Sequence, residues 1–164
     1  MKSAKLLILF CVVIGLSMSA CKKKDDETEP ENNNPVAGSM TAKVDGSDWS
    51  ASLAVVGVYS NNLFTVTGSD NNAKQLQVTV MNVNGTGEYT LGETLTNQNS
   101  GRWTAGLNTD QTYSTMLGQG SGTMNITGWT GTSAKGTFSF TAKNSKQEEV
   151  SITGGEFSVT FQQE

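Results

Sequence analysis

Apolar and polar residues alternate with a period of two along most of this chain. Met40, Ala42 and Val44 alternate with Thr41 and Lys43, and Leu76, Val78 and Val80 with Gln75, Gln77 and Thr79. Met124 and Ile126, then Phe138, Phe140 and Ala142, then Phe157, Val159 and Phe161 repeat the pattern against Thr, Ser and Asn. A period of two puts one side of a strand in a core and the other in water, as in antiparallel sheets with one wet face. Between these runs stand reversal signals. Asp45-Gly46, Asn84-Gly85 and Gly154-Gly155 are places where positive φ costs little, so each predicts a turn. Asn61-Asn62, Ser69-Asp70-Asn71-Asn72 and Asn144-Ser145-Lys146 read as polar loops.

The pattern predicts an all-β domain of nine to ten antiparallel strands, over 40–44, 49–59, 62–68, 74–83, 87–91, 102–107, 111–115, 121–128, 134–143 and 150–161. In the second of these, Trp49, Ala51, Leu53 and Val55 share one parity while Val56 and Val58 take the other. That predicts a bulge near Val55-Val56-Gly57. Short helical turns fit at Gly92–Gln98 or Thr112–Leu117. Regular strands with turn signals between them describe a β-sandwich or a small barrel, and interior alternation is the same in both.

The first twenty residues break the pattern. Lys2 and Lys5 precede an apolar run from Leu6 to Leu16, followed by Ser17, Ser19, Ala20 and then Cys21. A basic head, an apolar middle and a small-residue processing site read as a cleaved export signal over 1–20. The run is too short to span a bilayer core, which takes ~20 apolar residues in a helix. Met18-Ser19-Ala20-Cys21 resembles a bacterial lipobox, with Met where Leu is usual. That resemblance implies that Cys21 carries diacylglycerol and holds the protein on a membrane, since two or more acyl chains anchor stably where one does not. Cys21-Lys22-Lys23-Lys24-Asp25-Asp26-Glu27 also resembles the surface-export signal of Bacteroidota lipoproteins, which implies an outward-facing protein on the cell outer membrane. Residues 21–37 carry charge, Asn, Thr and two prolines with no hydrophobic period, the composition of a disordered tether. As a flexible coil it reaches roughly 20–25 Å. Residues 38–164 are then the β-domain.

Composition narrows the chemistry. From Cys21 onward 44 of 144 residues are hydrophobic, a lean supply that suits strands burying alternate residues. The same stretch holds 15 acids and 9 bases, and Lys43, Lys74, Arg102, Lys135, Lys143 and Lys146 are scattered, so the basic footprint of a nucleic-acid binder is missing. The chain has no histidine, and its two cysteines are Cys11, in the signal, and Cys21. Ser-His-Asp and Cys-His catalysis therefore lack their parts, as do ordinary zinc and copper sites. We expect no cofactor and no metal. Of the ten carboxylates in the domain, no two are paired by spacing in the way glycoside hydrolysis requires, and turn positions make them read as surface charge. Asp45-Gly46-Ser47-Asp48 lacks the repeated acids of a calcium loop and reads as a hairpin turn. Among the aromatics, Trp129, flanked by Gly128 and Thr130-Gly131, is the candidate for an exposed stacking ring, and Trp103 is second. Met40, Met81, Met116 and Met124 read as core fillers.

Val44-Asp45-Gly46-Ser47-Asp48-Trp49-Ser50-Ala51, Gly87-Glu88-Tyr89-Thr90-Leu91-Gly92, Gly136-Thr137-Phe138-Ser139-Phe140-Thr141-Ala142 and Ile152-Thr153-Gly154-Gly155-Glu156-Phe157 occur in that order. Together they resemble a family of small Bacteroidota lipoproteins defined as a domain of unknown function. The resemblance implies an all-β lipoprotein and supplies no catalytic residue. The expectation is a non-enzymatic module that binds a glycan, a peptide or a protein. The alternative is a lipocalin-like carrier of a small apolar ligand, which needs an interior pocket of several hundred Å³ lined by Leu, Val and Phe.

Overall fold

The computed structural model describes residues 38–161. The signal segment, Cys21 and the tether lie outside the described residues. Eleven strands form: β1 (Ser39–Val44), β2 (Ser47–Ser50), β3 (Ala54–Ser60), β4 (Leu63–Ser69), β5 (Gln75–Val80), β6 (Gly87–Gly92), β7 (Ser100–Thr104), β8 (Thr112–Ser114), β9 (Gly120–Thr130), β10 (Ser133–Lys143) and β11 (Glu149–Thr160). Every pairing is antiparallel, in the order β2-β1-β11-β10-β8-β7-β5-β4-β3, with β9 also on β10 and β6 on β9. β8 meets β10 at one position, Ser114 opposite Lys143. There the sheet curls into a half-barrel. The first arm is β6-β9-β10-β11-β1-β2, the second β8-β7-β5-β4-β3, and their inner faces share one core.

The eleventh strand comes from a break the alternation does not mark. Residues 49–59 are two strands, because the chain bends at Ser52-Leu53 and crosses from the first arm to the second. The Ala51 amide donates to the Met40 carbonyl on one arm and the Leu53 amide to the Ser69 carbonyl on the other. The expected bulge at Val55-Val56-Gly57 is absent: β3 runs along β4 without a register shift, from Ala54 opposite Ser69 to Ser60 opposite Leu63. Val55 stays inside, while Val56 and Val58 point outward, each 44% exposed. Their β-branched shape suits a strand whichever side they face.

Gly154-Gly155 is a bulge and not a turn. β11 continues through it with Phe138 opposite Gly155 and Phe140 opposite Ile152, so β11 carries one extra residue. Gly154 takes φ +57 there, the left-handed region that glycine adopts freely. The short helical turns fall at Thr109–Gln111 and Met116–Gly118, the first outside both expected segments and the second overlapping the end of Thr112–Leu117. Gly92–Gln98 forms none.

Two hairpins close as expected from their residues. Asp45-Gly46 (φ 49 and 80) and Asn61-Asn62 (φ 51 and 62) are two-residue turns with both φ positive, the geometry that matches strand twist. Two longer turns share one device. Asp70 Oδ1 accepts the amides of Asn72 and Lys74, and Asn144 Oδ1 accepts those of Lys146 and Glu148. In both, the residue three positions on is left-handed, Ala73 at φ 60 and Gln147 at φ 66. A left-handed conformation costs a residue with a Cβ about 1–2 kcal/mol. Ala73→Gly is therefore expected to stabilise the domain by about 0.5–1 kcal/mol, after the greater freedom of glycine in the unfolded chain is set against that relief. Urea unfolding of the two proteins checks this, and an unchanged or lower midpoint would show that Ala73 is not strained.

The core lies between the arms. Phe64 of β4 meets Trp129 of β9 and Phe157 of β11 across it, with ring centroids 5.4 and 6.0 Å apart. Phe161 joins at 5.6 Å. Towards the other end Trp49 of β2 meets Trp103 of β7 edge to face at 5.5 Å. Met40 and Met124 are buried as expected, whereas Met116 is 45% exposed on its 3-10 turn and fills no core.

Candidate functional site

Neither tryptophan singled out in the sequence is an exposed ring. Trp103 sits at an inward position of β7 and is 4% exposed. Trp129 lies within β9 and not in a turn, half-buried against Tyr59, Phe64 and Phe161. The glycines beside Trp129 suggested a loop. Gly128 belongs instead to a bulged strand end, where β9 carries one extra residue opposite Lys135-Gly136, and Gly131 begins the turn into β10. These rings also occupy the space between the arms, where a carrier would need a hollow.

The acids are spread over structural tasks. Asp48 pairs with Lys43 at 2.6 Å, Asp110 with Lys146 at 2.5 Å and Glu149 with Lys143 at 4.0 Å. The hydrogen bond and charge of Lys146 hold the Asp110 carboxyl below its usual range. Asp45 accepts the Ser151 amide, and Glu148 accepts from Asn144 Nδ2. Asp70 departs most from a surface charge. It is 7% exposed, and besides its two turn amides its Oδ2 accepts the Trp49 indole N–H at 3.0 Å. Burial works to raise its pKa, but the amides of Lys74 and Asn72, the indole and the Lys74 charge together hold it below the ordinary carboxylate value. Glu88 and Glu156 share a row across the first arm, through Asn125 and Thr137. Three strand spacings separate them, about 14 Å, too far to flank a glycosidic bond.

The outer face of the second arm gathers a different set of groups. Outward parity on β7 presents Ser100, Arg102 and Thr104. Arg102 lies directly opposite Gln77 of β5 and Ser114 of β8, and Ser100 opposite Thr79. Next along are Thr67 and Thr65 of β4. Gln77 Nε2 donates to Thr67 Oγ1 at 3.2 Å, and the Thr65 and Thr79 hydroxyls pair at 3.1 Å. Neutral hydroxyls and amides thus surround one guanidinium. Its Nε is buried without a hydrogen-bond partner, and among the described residues no acid pairs with it. Beside the Thr79–Ser100 row the face opens into a groove of about 460 Å³ walled by Leu63, Met81, Leu95, Met116 and Leu117. Leu95 is 75% and Leu117 64% exposed.

Sequence reasoning placed Arg102 among scattered bases. One signal was available: it is the only arginine in the chain, at an outward parity between Gly101 and Trp103. What surrounds it depends on cross-strand partners from distant segments, which no local pattern reveals.

No curated protein and no solved structure matches the chain. A family model described as a domain of unknown function, DUF6252, matches residues 34–159, which covers every strand but the last residue of β11. The resemblance to a domain of unknown function read from the glycine- and aromatic-containing segments agrees with this match, and the chain belongs to the DUF6252 family.

Proposed function

We propose that this protein is a lipid-anchored lipoprotein of the cell outer membrane, displayed outward, whose β-domain binds a glycan, peptide or protein partner without catalysing a reaction. The observation that carries the binding reading is the outer face of the second arm. There a guanidinium without a partner among the described residues sits amid hydroxyls and amides beside an open apolar groove. The dispersal of the acids into turns and ion pairs supports a non-enzymatic role. The anchor rests on the lipobox resemblance at Cys21 and the Lys-Lys-Lys-Asp-Asp-Glu run after it.

Growth with an alkyne fatty acid is expected to label the wild-type protein and to leave Cys21→Ser unlabelled. Equal labelling of both would sink the anchor. Proteinase K added to intact cells is expected to degrade the domain, and survival until the cells are lysed would place it on the inner side of the membrane. For binding, the purified lipoprotein in detergent is screened against glycan and peptide arrays. Capture of no ligand in either array would count against a binding module.

A further inference from the structure

We infer that the outer face of the second arm takes a carboxylate-bearing glycan, of the uronic acid type, with the Arg102 guanidinium on the carboxylate. This rests on the binding-module reading and names the ligand class for its site.

Arg102 carries an unpaired charge among the described residues. Buried polar groups in folded proteins are nearly always hydrogen-bonded, so an orphaned Nε–H needs an explanation. The chain has an excess of acids, and it pairs Lys43, Lys143 and Lys146 with them. Among the described residues none reaches Arg102. The Nε is closed to solvent, so an anion from outside the chain meets the terminal Nη groups, whose planar fork fits a carboxylate through two parallel N–H bonds.

Neutral hydrogen-bonding groups flank that charge. Gln77 and Ser114 lie one strand away on either side, about 4.8 Å, and Ser100 and Thr104 lie one pleat repeat along, about 6.8 Å. These groups both donate and accept, as a ring of sugar hydroxyls requires. The groove walled by Leu63, Leu95 and Leu117 begins one row beyond and offers apolar surface to the C–H face of a second sugar unit. A peptide would be expected to add along the free edge of β3, where main-chain groups are available, and not across a face of side chains.

Because Arg102 is the sole arginine, its Nε–Hε gives a single, unmistakable resonance in a ¹H–¹⁵N spectrum. The probe is an oligomer of galacturonate, added to the full-length ¹⁵N-labelled protein in detergent. The resonance is expected to shift saturably. Arg102→Lys, which keeps the charge but loses the fork, is expected to weaken binding about tenfold with an unchanged thermal midpoint. Poly-glutamate and acetate at equal carboxylate concentration are expected to bind at least tenfold more weakly. Equal binding of either would overturn the glycan assignment and leave a generic anion site. No shift with galacturonate would also overturn it. Binding of a neutral dextran, or of a peptide, that leaves the Arg102 signal in place would overturn this site while the binding-module reading stands.

Discussion

Phe64→Ala is expected to cost the fold about 3–5 kcal/mol, the range for emptying a buried phenylalanine site. Phe64 is fully buried and joins the two arms of the sheet, with Trp129, Phe157 and Phe161 ringed around it. Among the described residues only β8 links the arms by strand pairing, at a single residue pair, so side chains carry most of their contact. Beyond the area lost, removing this ring breaks aromatic pairs worth about 0.5–1.5 kcal/mol each in favourable geometry. Neighbouring rings are too stiff to collapse into the space. Phe64→Leu, which keeps most of the volume, is expected to cost less than half as much. Urea unfolding followed by tryptophan fluorescence measures both, since Trp129 touches the site. A loss below about 1 kcal/mol for the alanine variant would mean that the arms do not close on this ring.

Asp70→Ala is expected to be nearly as damaging, at about 3 kcal/mol, for a different reason. One carboxylate holds three donors: the Asn72 and Lys74 amides close the β4–β5 turn, and the Trp49 indole ties that turn to β2 on the other arm. Removal leaves a buried indole N–H and two amides without acceptors. Asp70→Asn separates these effects. The amide oxygen can keep the turn, but its NH₂ then faces the Trp49 N–H, donor against donor. In a Trp49→Phe background, which has no N–H to satisfy, the asparagine substitution is expected to cost markedly less. Equal costs in the two backgrounds would show that the indole bond carries no weight. The pH dependence has a definite sign. The folded pKa of Asp70 lies below its unfolded value of about 3.9, so the unfolded chain binds the proton more readily. The stability that Asp70 contributes is complete above about pH 5 and is lost as pH falls through the folded pKa. The gap between wild type and Asp70→Asn should therefore narrow from pH 7 to pH 3.

How far the candidate face could be seen beforehand follows from the same geometry. Outward parity for Thr65, Thr67, Gln75, Gln77 and Arg102 is plain from alternation with Val66, Leu76, Val78 and Trp103. That they lie side by side is not, because β5 pairs with β7 and skips β6, which joins β9 on the other arm. Trp129 and Trp103 misled for a related reason. A glycine-flanked ring looks exposed along the chain, yet rings from β2, β4, β7, β9 and β11 have the largest apolar area to hide, and the curled sheet gives them one place to do so.

The sequence alone determined the strand character of the domain, the side that β1, β5, β9, β10 and β11 turn inward, and the hairpins at Asp45-Gly46 and Asn61-Asn62. These depend on neighbours within a few residues, through the two-residue pleat and the freedom of φ. The tertiary structure decided the bend at Ser52-Leu53, the bulge at Gly154, the burial of Asp70 and the isolation of Arg102. Each arises where segments far apart in the chain compete for one core or one hydrogen-bond partner, and that contest is settled only by how the sheet curls.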